Sequence, residues 1–336
     1  MNSRLGAWAV WLYAFGYFAS YVPYSALTKA LSSGKLGPTL RGLEVLPLAT
    51  ATSVVGMGLF LGLSGWWKDA GAFLALGPLR IPRPSKWTFF SGVCTAVIVV
   101  TTTLAYTVNS ASIVLMMVLM RGGVLAMAPL VDGLSRRKVH LESWVALGFT
   151  LAALFIAAPF QDAQLNWVAR VIIAAYLGGY FFRLRAMSHL AKSHDSRANR
   201  RYFVEEQLVG TPMALLFLGL VAALGPEQVS APLAKGFWDV PRSSSAGWLV
   251  VAGLCSQGTG VFGALVLLSP RENSYTVPVN RISSVWAGVV ASWVLSTWMG
   301  TEPLASREAW SAAVLTLAVA GLSVPAVWQA LHKAPK

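Results

Sequence analysis

Apolar stretches of helical length recur along the whole chain and are separated by shorter polar segments. A helix needs about 20 predominantly apolar residues to cross a bilayer, and ten stretches approach or exceed that length. They cover residues 6–28, 43–67, 88–108, 111–132, 143–160, 167–190, 204–224, 246–269, 275–299 and 309–331. The pattern predicts an all-α polytopic membrane protein with ten transmembrane helices, in which the short links around Asn109 and Asn273 make tight hairpins.

The composition agrees with a chain that lies almost entirely in the membrane. Of its 336 residues, 56% are hydrophobic and 12% are charged, which is about half the charged share of soluble domains. Mean hydropathy is +0.60. A disordered chain is poor in apolar residues, so disorder is excluded. Ten spans also leave no room for a sizeable soluble domain.

The net charge of +13 comes from 26 Lys and Arg residues against 13 Asp and Glu residues. In a membrane protein such an excess marks the cytoplasmic loops, so it gives no reason to expect a nucleic-acid partner. Basic residues on the side of the N-terminus clearly outnumber those on the opposite side. This bias predicts that the N-terminus and the C-terminus both lie in the cytoplasm.

The second half of the chain repeats the first half at a nearly constant shift. Asn109-Ser110 matches Asn273-Ser274, and further matches follow in the same order. We interpret residues 1–162 and 163–336 as two repeats of five helices each. Because five is an odd number, the repeats must be inserted with opposite orientation. Secondary transporters use this architecture, with the substrate site near the midplane between the two halves.

Three segments carry a family resemblance. They are Leu119-Met120-Arg121-Gly122-Gly123-Val124, Val279-Asn280-Arg281-Ile282-Ser283-Ser284 and Gly300-Thr301-Glu302-Pro303-Leu304. Together with the repeat, they make the chain resemble the EamA-like drug/metabolite transporter superfamily over essentially its whole length. The first two segments are similar to the nucleotide-sugar and triose-phosphate transporter branch. The resemblance implies that spans 4 and 9 line a central cavity, where Arg121 and Arg281 hold an anionic group.

Arg121 and Arg281 both lie deep within apolar segments. Eight apolar residues directly precede Arg121, and an arginine at the centre of a span costs about 2.5–3.5 kcal/mol on insertion scales. The repeat aligns Arg281 with Met117, one helical turn before Arg121, so we expect both guanidiniums to reach the same cavity. A guanidinium suits a carboxylate or a phosphate. An internal ion pair and snorkelling to the interface are the alternatives.

Other polar residues in the spans are candidates for contacts with a substrate or an ion. The candidate cavity liners are Tyr21, Tyr24, Tyr106, Gln257, Asn280 and Ser284, although such side chains also serve packing between membrane helices. The candidate ion-pair partners or carriers of a coupling proton are Glu44, Glu205 and Glu206. These acids lie at the starts of spans 2 and 7, where a helix N-terminus also favours them. Arg183 and Arg185, near the end of span 6, are expected to snorkel.

The sequence contains no recognisable set of residues for catalysis, for a metal or for a cofactor. Cys94 and Cys255 form no paired motif, and the four histidines are scattered. Walker A, GxSxG and HExxH motifs are absent. We therefore expect a protein that is not an enzyme and that needs neither a metal nor a cofactor.

These observations favour a secondary transporter that works by alternating access. The expected partners are the lipid bilayer and a small organic anion, phosphorylated or carboxylated, that is moved by exchange or by ion coupling. The alternatives are an exporter of zwitterionic metabolites such as amino acids and a transporter or flippase of lipid head groups. Short loops without N-x-[ST] acceptors favour a bacterial inner membrane.

Overall fold

The computed structural model describes residues 3–76, 79–105, 113–157, 166–193 and 195–300, together with 306, 310, 312–314, 316–317 and 321. Within these residues the chain is dominated by helices that follow one another with short links. They are α1 (Ser3–Ser32), α2 (Gly42–Leu63), α3 (Lys86–Ala105), α4 (Ile113–Leu134), α5 (Leu141–Ala157), α6 (Trp167–Leu190), α7 (Ser196–Leu224), α8 (Glu227–Trp238), α9 (Ala246–Leu267) and α10 (Asn273–Met299). An antiparallel hairpin, β1 (Phe73–Leu76) and β2 (Leu79–Pro82), lies between α2 and α3.

The helices occupy the positions of the first nine predicted spans. Helices α1 to α7 correspond to spans 1 to 7, and α9 and α10 correspond to spans 8 and 9. The tenth predicted span, 309–331, lies mostly outside the described residues. The sequence analysis did not predict α8 or the β-hairpin, because both are much shorter than a membrane span and interrupt polar loops.

Helix α7 begins at Ser196, well before the predicted start at residue 204. The Asp195 side chain accepts a hydrogen bond from the backbone N–H of Arg197 at 2.8 Å, which caps the helix. A helix of 29 residues is roughly 43 Å long, longer than the roughly 30 Å of the hydrocarbon core. Its first turns, with Arg197, Arg200 and Arg201, therefore extend beyond the apolar part of the span.

Five of the described helices are long and apolar enough to cross a membrane: α2, α6, α7, α9 and α10. Large apolar side chains cover the outward faces of these helices. Leu59 and Leu63 on α2 and Leu216 and Leu220 on α7 are more than half exposed. Such extensive apolar surface is rare on a soluble monomer. The chain is an all-α integral membrane protein.

Helices from the first half of the chain pack mainly against helices from the second half. Helix α1 contacts α9 and α10, whereas α3 contacts α6 and α7. Helix α2 contacts α7, α8 and α9, and α4 packs against α6 and α10. A cavity enclosed by these helices therefore has walls from both halves of the chain.

Helices α2 and α9 approach closely at Gly253. A Cβ atom on Gly253 would lie 2.7 Å from Thr52 Cβ and 2.8 Å from the Ala49 carbonyl oxygen. The Ser53 hydroxyl donates a hydrogen bond to the Gly253 carbonyl oxygen at 2.9 Å. Hydrophobic burial does not drive helices together in lipid, so small residues and interhelical hydrogen bonds of this kind hold the bundle together.

We expect Gly253→Ala to lower the free energy of unfolding by about 1–3 kcal/mol, because the added methyl group overpacks this contact. Gly247→Ala on the same helix is the matched control, since a Cβ atom there has no neighbour within 4 Å. Thermal unfolding of both variants in one detergent measures the difference. Equal melting temperatures for the two variants would contradict the close approach.

Candidate functional site

A cavity of about 340 Å³ lies between the helices. Its wall is formed by α1, α2, α3, α4, α6, α7, α9 and α10. Three of its lining residues are arginines: Arg121, Arg183 and Arg281. The lining residues that the structure describes include no Asp or Glu. The cavity is therefore a polar compartment with an excess of positive charge in its wall.

Arg281 on α10 is 7% exposed. Its guanidinium carbon lies 5.1 Å from the centre of the Tyr180 ring, and Tyr180 packs against Tyr176 with ring centres 4.9 Å apart. The Arg281 Nε atom is buried and has no hydrogen-bond partner within the described part of the protein. A buried donor without a partner costs about 1–3 kcal/mol, and more when it is charged. Arg281 thus retains hydrogen-bonding capacity that the surrounding protein does not use.

Arg121 on α4 contacts a tyrosine of α1. Its Nη2 atom donates a hydrogen bond to the Tyr21 hydroxyl at 3.2 Å. Tyr17, Tyr21 and Tyr24 follow one another along one face of α1, with neighbouring ring centres 5.5 and 5.7 Å apart. Their spacing of four and three residues is what places them on the same face. The cavity wall therefore combines cationic groups with aromatic rings and phenol hydroxyls.

The structure brings most of the predicted liners to this one cavity. Tyr21, Tyr24, Gln257 and Asn280 line it together with Arg121 and Arg281. The expectation for Ser284 is corrected: Ser284 is 2% exposed, is not among the lining residues, and donates its hydroxyl hydrogen bond to the Arg281 carbonyl oxygen at 2.7 Å. A serine within a helix can satisfy its hydroxyl on a preceding carbonyl in this way. Tyr106 lies outside the described residues.

Glu44 does not line the cavity and serves the start of α2. One of its carboxylate oxygens accepts a hydrogen bond from the backbone N–H of Arg41 at 2.9 Å. The other lies 3.3 Å from Lys235 Nζ on α8. This geometry corresponds to the helix N-terminal role that the sequence analysis left open for Glu44.

Glu205 also lies outside the lining of the cavity. Its carboxylate accepts hydrogen bonds from the backbone N–H groups of Gly71 and Ser85, at 3.1 and 3.0 Å. It also accepts hydrogen bonds from the Thr88 hydroxyl at 2.7 Å and from Arg201 Nε at 2.9 Å. Glu205 therefore ties both ends of the segment that contains the β-hairpin to α7.

Arg183 and Glu206 form a buried ion pair beside the cavity. The Arg183 Nε and Nη2 atoms lie 2.6 and 3.1 Å from the two Glu206 oxygens. Glu206 also accepts hydrogen bonds from the Ser91 and Thr95 hydroxyls of α3. The expected snorkelling of Arg183 is wrong, because this bidentate carboxylate compensates its charge inside the bundle. The sequence analysis considered Glu206 as an ion-pair partner of Arg121 or Arg281. In the structure its partner is a third arginine, Arg183.

At one end of the bundle, Asp132 joins α4 to α10. Its carboxylate oxygens accept hydrogen bonds from the backbone N–H groups of Asn273 and Ser274, at 2.8 and 2.7 Å. The side chains of the same two residues donate at 2.8 and 2.7 Å. Asp132 is fully buried, and its negative charge is favourable at the N-terminus of α10. We call this contact the Asp132 clamp.

Two cations extend the closure at this end. Arg137 donates to the Pro270 carbonyl oxygen at 3.0 Å and to the Lys192 carbonyl oxygen at 3.1 Å. Lys192 is 3% exposed, and its Nζ donates to the Leu267 carbonyl oxygen at 2.8 Å and to the Thr276 hydroxyl at 3.1 Å. The links α4–α5, α6–α7 and α9–α10 are therefore joined by buried polar contacts.

Glu272, directly before α10, adds a contact with α5. It accepts a hydrogen bond from the Ser143 hydroxyl at 2.7 Å, and Arg271 Nε lies 3.3 Å from its other oxygen. Burial raises the pKa of Glu272. The hydrogen bonds from Ser143 and from its own backbone N–H, together with the charge and hydrogen bond of Arg271, outweigh burial and lower the pKa to about 2. Glu272 is therefore an anion at neutral pH.

A second cleft of about 620 Å³ opens at the same end, between α3, α7 and the segment before the hairpin. Both Asp69 and Glu205 in its lining already have cationic partners. Asp69 lies 3.3 Å from Arg200, which is outside the lining, and Glu205 lies 2.9 Å from Arg201. Because its carboxylates already have cationic partners, this cleft is a weaker candidate for a ligand site than the cavity at Arg281. In the described part of the chain, no group of three or more His, Cys, Asp or Glu residues could hold a metal ion.

Comparison with known proteins identifies the fold only. No family model and no curated protein matches the sequence. A solved crystal structure of a protein is similar, with a TM-score of 0.55 and 13% sequence identity. The match covers 96% of this chain and 98% of that chain. The likeness concerns the course of the whole chain and carries no functional information.

The buried pair predicts a stability effect. We expect Glu206→Gln to lower the free energy of unfolding by about 3–5 kcal/mol, because Arg183 stays buried without a negative partner. The double variant Arg183→Met/Glu206→Gln should recover much of this loss, because no charge is then left uncompensated. Thermal unfolding of Glu206→Gln, of Arg183→Met and of the double variant measures the coupling between the two side chains. Strictly additive losses would show that the two side chains do not act as a pair.

Lys192 predicts a pH dependence of stability. Burial, assisted by the Arg137 charge and opposed by Asp132 and Glu272, lowers the pKa of Lys192 from 10.5 to about 7. Between these values the folded protein has lost the proton while the unfolded chain still binds it. Stability should therefore be flat below about pH 7 and rise above it by up to about 1.4 kcal/mol per pH unit.

The measurement is the difference in melting temperature between the wild-type protein and Lys192→Met, from about pH 6 to about pH 9. Subtracting the variant removes the contribution of all other titrating groups. We expect the difference to shift in favour of the wild type as the pH rises. A difference that does not change with pH would show that Lys192 keeps its ordinary pKa.

Proposed function

We propose that the protein is a secondary transporter that carries a small organic anion, phosphorylated or carboxylated, through the central cavity. The observation that carries this proposal is buried Arg281, whose Nε has no hydrogen-bond partner among the described residues although the side chain lines a cavity. A guanidinium offers planar, charged donors that match carboxylate and phosphate oxygens. An anion in the cavity would compensate the charge of this guanidinium, and a bond to Nε would require the side chain to turn towards the cavity.

The charges around the cavity favour an anionic cargo over a zwitterionic one. The Arg183 charge is compensated by Glu206, whereas Arg281 forms no ion pair within the described residues. A zwitterion would also bring an ammonium, for which the described lining offers tyrosine rings but no carboxylate. The volume of about 340 Å³ suits a small metabolite.

The two ends of the bundle support alternating access. The Asp132 clamp and the contacts of Arg137 and Lys192 close the end at which α4 stops. The cavity lining extends towards the opposite end, with Leu46 near the start of α2 and Thr102 near the end of α3. This arrangement corresponds to a conformation closed at one end, which transport would have to open.

We also propose that the chain consists of two inverted five-helix repeats, that both termini lie in the cytoplasm, and that the protein resides in a bacterial inner membrane. The EamA-like drug/metabolite transporter superfamily is the proposed family. The packing supports the repeats, because exchanging spans 1–4 with spans 6–9 converts each main contact into another observed one. The contact α1–α9 becomes α6–α3, α1–α10 becomes α6–α4, and α2–α9 becomes α7–α3.

The test uses purified protein in detergent and in proteoliposomes. A panel of sugar phosphates, inorganic phosphate, dicarboxylates, amino acids and neutral sugars is screened by thermal shift, and the best anion is then followed by uptake. We expect Arg281→Gln to weaken binding of that anion by about tenfold or more, because a hydrogen bond to a charged group contributes about 1.5–3 kcal/mol.

Arg185→Gln is the matched control, because Arg185 is an exposed arginine on α6 that does not line the cavity. It should bind and transport the anion as the wild type does. Stabilisation by amino acids alone would support the zwitterion exporter instead. Unchanged anion binding by Arg281→Gln would contradict the proposed site.

A further inference from the structure

The β-hairpin between α2 and α3 presents apolar side chains to the outside of the molecule. Phe73 pairs with Pro82, and Leu74 pairs with Ile81. Phe73, Leu74 and Ile81 are 40%, 48% and 39% exposed. A two-stranded hairpin alone is at best marginally stable in water. An apolar environment is therefore needed to cover this ribbon.

Four cations lie in the hairpin or directly beside it. Lys68, Arg80, Arg83 and Lys86 are all exposed, and within the described residues none of their side chains forms an ion pair or a hydrogen bond. The adjacent acid, Asp69, pairs with Arg200 and Arg197 instead. The segment thus combines exposed apolar groups with a local excess of positive charge.

Four other cations at this end of the molecule behave differently. Arg137 and Lys192 donate hydrogen bonds to backbone carbonyls, whereas Arg201 and Arg271 pair with carboxylates. The positive charge of those residues is used inside the protein. The positive charge around the hairpin is available to an external partner.

The depth of the hairpin follows from its attachment to α7. Glu205 binds the backbone N–H groups of Gly71 and Ser85, which flank the hairpin. Glu205 lies roughly 13 Å along α7 from its first residue, which is about the length by which this helix exceeds the hydrocarbon core. With the apolar C-terminal end of α7 at the far boundary of the hydrocarbon core, the base of the hairpin is level with the near boundary between head groups and acyl chains.

Tryptophans around the hairpin agree with that depth. The Trp67 Nε1 donates a hydrogen bond to the Arg80 carbonyl oxygen at 3.2 Å. Trp87, at the start of α3, is 67% exposed. Tryptophan is enriched at the membrane–water interface because its ring is apolar and its N–H is polar.

We propose that the hairpin is a lipid-binding element, in which Leu74 and Ile81, which share one face of the ribbon, insert into one leaflet while the four cations in and beside the hairpin bind the phosphates of anionic phospholipids. The apolar groups would lie about 5–10 Å into the boundary between head groups and acyl chains. Each cation near an anionic surface strengthens binding by about fivefold. The positive-inside bias places this leaflet on the cytoplasmic side. The proposal does not depend on what the central cavity carries.

The insertion is tested with the full-length protein in lipid nanodiscs. Leu74→Cys is made in a Cys94→Ala/Cys255→Ala background and labelled with bimane. We expect the fluorescence to be quenched by nitroxides placed near the top of the lipid acyl chains and to be protected from iodide in the aqueous phase. Lys138→Cys in the same background is the matched control, because Lys138 is exposed on the α4–α5 link, and it should respond to the two quenchers in the opposite way.

Two outcomes would overturn the insertion. If iodide quenches the label at residue 74 as strongly as the label at residue 138, the hairpin lies in water. If neither quencher reaches the label at residue 74, a protein surface such as a second copy of the chain covers it. Only labelled variants that have the same melting temperature as the parent protein are compared, so that either result describes a folded molecule.

The preference for anionic lipid is tested by comparing nitroxide phosphatidylglycerol with nitroxide phosphatidylcholine at the same mole fraction. We expect the anionic lipid to quench the label at residue 74 more strongly, and Arg80→Gln/Arg83→Gln to bring the two lipids close to parity. Arg197→Gln/Arg200→Gln is the matched control, because these cations pair with Asp69, and it should keep the preference. Equal quenching by both lipids before any substitution would overturn the role of the cations.

Discussion

The cost of removing a guanidinium from water governs the interior of this bundle. A buried cation without compensation costs several kcal/mol, and the three arginines of the cavity meet this cost differently. Arg183 has a bidentate carboxylate in Glu206. Arg121 donates to the Tyr21 hydroxyl. Arg281 lies over the Tyr180 ring and keeps a buried Nε that the described protein does not satisfy. The degree of compensation therefore separates structural charge from charge available to a ligand.

At the closed end of the molecule, polar contacts join the links in addition to packed apolar side chains such as Met187 and Leu267. Asp132, Arg137 and Lys192 bind backbone groups of neighbouring links, and each of these groups would be solvated by water if the contact opened. The net free energy of such a seal is smaller than the sum of its hydrogen bonds, because water replaces them on opening. Buried polar networks of this kind also specify one arrangement of their partners, since a partly satisfied network is costly.

Much of the fold could be predicted from the sequence, because apolar length is a local property that each segment carries by itself. The depth of Arg121 and Arg281 within such segments also led to the expectation that both reach one cavity, and both side chains line the cavity that Gln257 and Asn280 line. Arg183 was misjudged because its distance from the end of α6 equally suits snorkelling. Its partner was hidden as well: with α7 starting at Ser196 rather than 204, Glu206 lies well inside the helix and not at its first turn. Contacts such as the Asp132 clamp join distant parts of the chain and leave no local pattern, and four-residue strands are too short to give one.

The Asp132 clamp has a mechanical consequence for α10. The clamp holds the first backbone groups of α10, and Arg281 lies further along the same helix. Closure of the bundle end and the position of the guanidinium therefore both depend on α10. Pro278 lies between them and has no N–H for the Ser274 carbonyl oxygen, which lowers the bending stiffness of the helix at that point. Loss of the clamp would let the first turn swing about this joint without unwinding the turn that bears Arg281.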